Sequence, residues 1–530
     1  MKIKQFTIFL LINHKYRFRM KVIYIFICAI MMISCSKSPE EELGRLLLKD
    51  YPNTNNLYSY FIVIPGGGCD GCISGVEQFV KENYARRSVI FFFTNIESEK
   101  VLRFKMGTEI LTSKNIVIDK DGKYSLPNKY KNSIYPIVYE LKGNRVSQVS
   151  FISPNGDDVM AKLYNEFQNN PEFSIDINKY IEGEAALPVK LSDITDSIMY
   201  IPLKTPKGLP VSLVQSVRIS PHYIFYLDNN QQLFMFDRNG DFIRMIGKRG
   251  AAPDEYISLS GFEVDDSESF VYLHDFQRNR ILAYDMKGVL VKKLPLSRQL
   301  LNLTSFYNDQ FIGFVPKFYS NGQEAFYMID YNGEIKDSIH LEKKTKSLDK
   351  SSTDLFKMAT LDFNKYLLFT LPFDNSTYKL SPTGHKTKYF EIKQGKYQLP
   401  ERIGSNVKLY NENLTKYIFE LNTRTSSSKV FIDFFYNMEN YRLIYDINQN
   451  RLFEVSRGKY RKGIYNDIDG GISVWPAMIK NDTIISIIDP SAIENLETVN
   501  ESTKRLYQSF MLYDNPVIQI VGIKKILKVR

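Results

Sequence analysis

The chain has 530 residues, 44% of them hydrophobic, and only 4 Cys. That apolar content excludes wholesale disorder, the cysteine count excludes a disulfide-dense scaffold, and the length suggests several domains at about 150 residues each. The net charge is +10, but residues 1–34 hold six basic residues and no acid. The remaining 63 basic and 59 acidic residues leave +4, too weak and dispersed for a nucleic-acid footprint, so no nucleic-acid partner is expected.

In chain order, Val22–Ile33 is a 12-residue apolar run behind Arg17, Arg19 and Lys21. It is too short to span a bilayer and has the length of a signal-peptide core. Met20 is an alternative start. Met32-Ile33-Ser34-Cys35 resembles a bacterial lipoprotein cleavage box. The resemblance implies a signal peptide over 1–34, a lipid anchor on Cys35 and a membrane partner through that lipid. It places the protein in the bacterial cell envelope, at the outer membrane. The polar residues after Cys35 read as a tether over 35–44.

Residues 45–170 alternate strands and helices. Tyr58–Ile64 and Ser88–Thr94 read as strands, the second nearly all apolar as a strand covered on both faces should be. Ile73, Val76, Phe79 and Val80 recur at helical spacing, which predicts a helix over Cys72–Tyr84. A strand at Asn115–Asp119, a strand pair around Lys142-Gly143 and a helix over Asp157–Phe167 complete this α/β region. Residues 171–197 read as a linker.

Beyond it, strands separated by Asp/Asn/Gly turns dominate and helical periodicity nearly vanishes. A hairpin turn recurs as Asp237-x-x-Gly240, Asp285-x-x-Gly288, Asp330-x-x-Gly333 and Ser381-x-x-Gly384, its glycines 48, 45 and 51 residues apart. Gly at that place supplies positive φ, and the Asp caps the turn more simply than it would bind calcium. Tyr441–Val455 is a degenerate fifth copy and Ile472–Ile488 a sixth. Multi-stranded repeats of this period predict an all-β six-bladed propeller over 198–530, with Ile198–Leu203 closing the last blade near Pro516–Ile520.

Four segments resemble a family of bacterial six-bladed β-propeller lipoproteins, distantly similar to NHL-type propellers. They are Leu191–Thr205, Gly247–Tyr256, Tyr465–Pro476 and Asp514–Ile520. The resemblance implies a fold and an envelope address but no reaction. The N-terminal block resembles a thioredoxin-like domain, through the strand before Cys69-Asp70-Gly71-Cys72, the helix at the second Cys, and Pro136 opening a later strand. It implies that Pro136 is the cis-proline facing the cysteine pair.

A thiol at a helix N-terminus meets unpaired N–H groups and the positive dipole end, which favours the nucleophilic thiolate. On that reading Cys69 attacks, Cys72 resolves and Pro136 positions. Permanent disulfide, inactive binding remnant and metal ligation remain alternative roles for the pair. Thiol–disulfide exchange is the expected function, with the propeller recruiting a client. The alternative is a non-enzymatic propeller that binds a glycan, peptide or envelope partner. No cofactor and no metal site is read from the sequence. His222, His274 and His385 lie near strand ends or turns and are expected at the surface. Trp475 is a candidate for the axial opening.

Overall fold

The computed structural model describes residues 38–524 apart from 55, 157, 307–309, 316–324, 341–356, 361–365, 371–372, 382–383, 405, 460–461, 495–500 and 511–514. The expected signal peptide, the alternative start at Met20 and Cys35 lie outside the described residues. No helix among the described residues is long and apolar enough to cross a membrane. The chain divides into two compact units, one ending at Glu166 and the other starting at Phe167.

The first unit opens with a helix where a tether was expected. Helix α1 (Pro39–Asp50) is capped by Ser38, whose hydroxyl accepts from the Glu41 N–H, with Pro39 in its first turn and Glu40, Glu41 and Glu42 behind it. Proline and acids suit the first turn, where N–H groups lack partners and the dipole is positive. Its apolar face buries Leu43 and Leu47.

Next come β1 (Tyr60–Pro65), α2 (Asp70–Asn83), β2 (Val89–Thr94), α3 (Glu99–Met106), α4 (Thr108–Leu111), β3 (Ile116–Asp119), β4 (Ile137–Leu141), β5 (Val146–Phe151) and α5 (Val159–Asn169). The sheet order is β3-β2-β1-β4-β5. β1 and β2 pair in parallel, as do β2 and β3, whereas β4 and β5 run antiparallel. Every residue of β1 and β2 is buried, which is why both read as unbroken apolar runs. Ile73, Val76, Phe79 and Val80 form the buried stripe of α2, as their spacing predicted. Helices α3 and α4, which the sequence reading passed over, fill the β2–β3 connection.

The second unit is a six-bladed propeller. Before its first blade lie β6 (Phe173–Asp176), β7 (Leu187–Pro188) and β8 (Met199–Pro202). β6 adds in parallel to the edge of blade 4, pairing Phe173 with Phe390, and β7 adds to the edge of blade 5. Residues 171–197, expected as a linker, therefore supply edge strands to two blades. Glu172 and Lys379 reinforce the first attachment with a 2.9 Å ion pair.

Blade 1 holds Val214–Ile219, Tyr223–Asp228, Leu233–Asp237 and Phe242–Met245. Blades 2, 3, 4 and 5 begin at Leu259, Leu301, Lys357 and Phe419. Blade 6 takes Met478–Lys480, Thr483–Ile488 and Val517–Gly522 from the end of the propeller and β8 from ahead of its first blade, with Ile518 opposite Ile201. Closure by mixed termini follows the sequence expectation, and it covers an edge that would otherwise be open.

One apolar cluster sits at each blade–blade interface, including that of blade 6 with blade 1. In Tyr223–Asp228, Phe225 and Leu227 face blade 2, while Ile224 and Tyr226 face blade 6. Both faces are covered, so the strand is apolar throughout rather than alternating.

The recurring turns show why their residues repeat. Asp237, Asp285 and Asp330 each accept backbone N–H groups two and four residues ahead, at 2.8 to 3.0 Å. Gly240, Gly288, Gly333 and Gly384 have φ between 78° and 87°. A Cβ on Gly240 would lie 2.1 Å from the Pro202 carbonyl oxygen, and one on Gly333 would lie 3.1 Å from that of Pro295. Each repeat glycine thus seats its hairpin against the outer strand of the preceding blade. In the degenerate fifth copy Asn450, at φ 52°, provides the left-handed residue. Helix Glu501–Phe510 is an element the repeat pattern did not announce; Tyr507 and Phe510 pack their rings against Tyr200.

Candidate functional site

The cysteine pair sits at the carboxyl end of β1. Gly66-Gly67-Gly68 carries the chain from there to α2. The Gly66 N–H donates to the Thr94 carbonyl at 2.7 Å, and a Cβ on Gly66 would lie 2.1 Å from the Asn95 oxygen. Gly68 has φ 143°, and a Cβ there would lie 2.3 Å from the Ile134 oxygen. Glycine is therefore required at both places by close backbone approach. Gly67 and Gly71 have open space on the side a Cβ would take.

Cys69 is the N-cap residue of α2, and its carbonyl accepts from the Ile73 N–H at 2.9 Å. Its sulfur is bonded to Cys72, with the Cα atoms 5.3 Å apart. Both cysteines are partly exposed. The pair lies where the dipole of a 14-residue helix favours a thiolate once the bond is reduced.

Pro136 is buried, and no cis peptide bond occurs among the described residues. The cis geometry implied by resemblance is therefore corrected to trans. The contact with the pair comes two residues earlier, where the Ile134 carbonyl accepts from the Cys69 N–H at 3.1 Å. The Ile134 side chain is 44% exposed. Nothing in the sequence marked Ile134 beyond its nearness to Tyr135-Pro136. The structure thus brings Cys69, Cys72 and the segment leading to Pro136 together, with a different atom at the contact.

In the propeller, the segments singled out by sequence are structural braces. Arg278 donates to the carbonyls of Ala251, Ala252 and Glu255, and Arg280 to those of Pro253 and Glu255, so two arginines of blade 2 hold the Gly247–Tyr256 loop. Tyr256 is buried and donates to the Gln231 carbonyl at 2.6 Å. In the 465–476 loop, Asp469 accepts from the Tyr200 hydroxyl at 2.7 Å and from Asn466 at 2.6 Å. Burial, with the hydrogen bonds to Tyr507 and Asp469, pushes the Tyr200 phenol far above its usual range.

Trp475 lies edge-on to Phe431, with the Arg442 guanidinium 4.6 Å from its ring centre and Asp433 accepting from its indole N–H at 3.4 Å. His222 is exposed beside Glu268, in line with the surface expectation. His274 is not. It sits on the second strand of blade 2, 2% exposed, because both faces of that strand are covered. Its Nδ1 lies 2.5 Å from the Ser260 hydroxyl, Nε2 has no hydrogen-bond partner among the described residues, and burial pushes its pKa down to about 4. Among the described residues, no group of three or more His, Cys, Asp or Glu is placed to hold a metal ion.

Comparison with known proteins supplies a family and a fold. Residues 172–522 match the family described as Domain of unknown function (DUF4934). No curated protein matches the chain. Among solved structures, a protein from Bacteroides fragilis described as exported is similar at TM-score 0.52 and 18% identity, covering 66% of this chain and 99% of its own. A member of the DUF4221 family from Bacteroides vulgatus aligns at TM-score 0.38 and 11% identity over 62% of this chain and 97% of its own. A streptogramin B lyase aligns at TM-score 0.32 and 12% identity over 62% and 98%. The first likeness shows the propeller fold. With its family model spanning two thirds of the sequence and its strands closed into six blades, the chain belongs to the DUF4934 family.

Proposed function

We propose that this protein is an exported thiol–disulfide exchange protein whose N-terminal unit is thioredoxin-like and whose propeller recruits a client or partner. The observation that carries the reading is the partly exposed Cys69–Cys72 bond at the first turn of α2. The order of three parallel strands and an antiparallel hairpin, with the pair directly after β1, supports a thioredoxin-like assignment. A disulfide suits an oxidising compartment, and the Bacteroides fragilis neighbour is described as exported. A signal peptide over 1–34 and a lipid on Cys35 would place the chain on a membrane in the cell envelope.

In the reducing direction, the Cys69 thiolate attacks one sulfur of a client disulfide and forms a mixed disulfide. The first client thiolate leaves. The Cys72 thiolate then attacks the Cys69 sulfur, releases the second client thiolate and restores the Cys69–Cys72 bond. Two electrons pass from the pair to the client; oxidation of client thiols is the reverse.

A second reading is favoured by one observation. The Cys69 N–H donates to the Ile134 carbonyl at 3.1 Å, a bond that ties the glycine loop to the segment before Pro136. On that reading the disulfide staples the glycine loop and the propeller alone acts, as a binding protein. Equilibration in glutathione buffers with thiol trapping separates the two. A potential above about −300 mV, one fast-reacting sulfur, and loss of exchange in Cys69→Ser support exchange. A potential below that value, with neither sulfur reacting fast, indicates the staple.

A further inference from the structure

The propeller covers several of its outer edges with chain from ahead of its first blade. β6 adds to blade 4 and β7 to blade 5, both in parallel, and β8 is itself the outer strand of blade 6. At blade 1 the Lys204 carbonyl accepts from the Phe242 N–H at 3.1 Å. Among the described residues, no strand is added to the outer strands of blade 2 (Leu290–Pro295) and blade 3 (Ile335–His340). An open edge offers backbone N–H and C=O groups to an extended chain.

The strand seated on blade 4 shows what such an edge accepts. The run Glu172-Phe173-Ser174-Ile175-Asp176 alternates polar and apolar residues. Phe173 stacks on the Phe390 ring, Ile175 is buried, and Glu172 pairs with Lys379 at 2.9 Å. Backbone pairing, apolar side chains and an acid on a blade lysine act together there.

Blade 2 presents the matching half of that arrangement. Val289 and Val291 are 57% and 56% exposed. Lys287, Lys292 and Lys293 are exposed beside them. Lys292 donates to the Tyr331 carbonyl and to Asn332, both neutral, while Lys287 and Lys293 have no side-chain partner among the described residues. The nearby acids are engaged. Asp285 accepts from the N–H groups of Lys287 and Val289, and Asp330 and Glu334 of blade 3 pair with Lys336. Blade 3 lacks the pattern, since Ile335 and Ile339 are partly buried and Asp337 accepts from the Ser338 N–H. A basic edge repels a second copy of itself and admits an acidic chain.

We propose that the outer edge of blade 2 takes a fifth strand from a partner polypeptide. The partner segment is extended, alternates acids with apolar residues, and pairs in parallel with Leu290–Pro295. The inference rests on the reading that the propeller recruits a partner, and it gives that role a surface.

The test is fluorescence anisotropy of the full chain, at low ionic strength, with the labelled peptide EVEVEVE. Its lysine counterpart KVKVKVK and a fully N-methylated EVEVEVE, which keeps its charges but has no N–H to donate, serve as controls. The acidic peptide should bind roughly tenfold more tightly than either control. Lys287→Glu with Lys293→Glu should reverse the preference between the two charged peptides. Both side chains are exposed, so that variant should keep the wild-type melting curve. On binding, hydrogen exchange should slow over 289–296 and not over 335–340. Equal binding of the N-methylated form would reduce the edge to charge adhesion and overturn the proposal, as would protection elsewhere or no binding at millimolar concentration. Self-association that Val291→Glu removes would assign the edge to a second copy and overturn it equally. The cysteines take no part, so failure here leaves the exchange reading to be judged by its own potential measurement.

Discussion

Two glycines in equivalent turns allow the blade-to-blade seat to be measured. Gly240 and Gly288 both have left-handed backbone, at φ 82° and 78°. An alanine at either carries the left-handed penalty, roughly 1–2 kcal/mol. The positions differ in their surroundings. The added methyl at 288 meets its nearest atom, the Met245 oxygen, at 3.4 Å, ordinary contact distance. At 240 it would lie 2.1 Å from the Pro202 oxygen and 3.0 Å from an Ile201 methyl. The hairpin cannot simply move away. The Lys204 N–H donates to the Gly240 carbonyl at 2.8 Å, and the Phe242 N–H to that of Lys204 at 3.1 Å.

Relieving the clash should add about 1–3 kcal/mol, as in other overpacked sites. Gly288→Ala is therefore expected to cost about 1–2 kcal/mol, and Gly240→Ala about 2–5 kcal/mol. The single tryptophan of the chain, Trp475, lies in the propeller, so its fluorescence during urea unfolding reads that unit. Equal shifts in the unfolding midpoint at unchanged slope, or a larger shift for Gly288→Ala, would refute the idea that blade 1 is seated on the closing strand through Gly240.

Further outcomes follow from buried charge and from loop bracing. Lys429 and Asp446 form a fully buried ion pair at 3.1 Å; Lys429→Met should destabilise the propeller by about 3–5 kcal/mol in urea, and Lys429→Met with Asp446→Leu by much less. His274 should make stability pH-dependent. Its folded pKa of about 4 lies below the ordinary 6.5, so the unfolded chain binds more protons between those values. Stability should be full above pH 6.5 and fall by about 3 kcal/mol as pH drops to 4. His274→Gln should flatten that part of the curve; an unchanged slope would remove His274 as its source. Arg278→Ala frees the carbonyls of Ala251, Ala252 and Glu255 and should open the 250–255 loop to proteolysis, read as faster cleavage there with the rest of the propeller intact.

Much of the propeller was legible because its signals are local. The Asp-x-x-Gly turns need positive φ and a side-chain cap within five residues, and both requirements are visible in the sequence. The same holds for the buried stripe of α2. Residues 171–197 misled because β6 and β7 are short and take their meaning from distant edges, Phe390 and Phe453 among them. Residues 39–44 misled for another reason. Ser38-Pro39-Glu40-Glu41 was read by its polarity, although serine, proline and acids in that order also form a helix start. The surface expectation for His274 failed because a position near a strand end reads as exposed until the neighbouring blade covers it.

At the candidate site, the sequence by itself determined that two cysteines lie three residues apart where a buried strand gives way to a helix, since apolar runs and helical spacing are properties of the chain. It likewise determined the hairpin repeat that makes a ring of blades the compact solution. Only the tertiary structure decided that the Ile134 carbonyl meets the pair in place of a cis Pro136, and that residues 171–197 supply edge strands to blades 4 and 5. These are contacts between residues far apart in sequence, fixed by packing and backbone approach that no local pattern records.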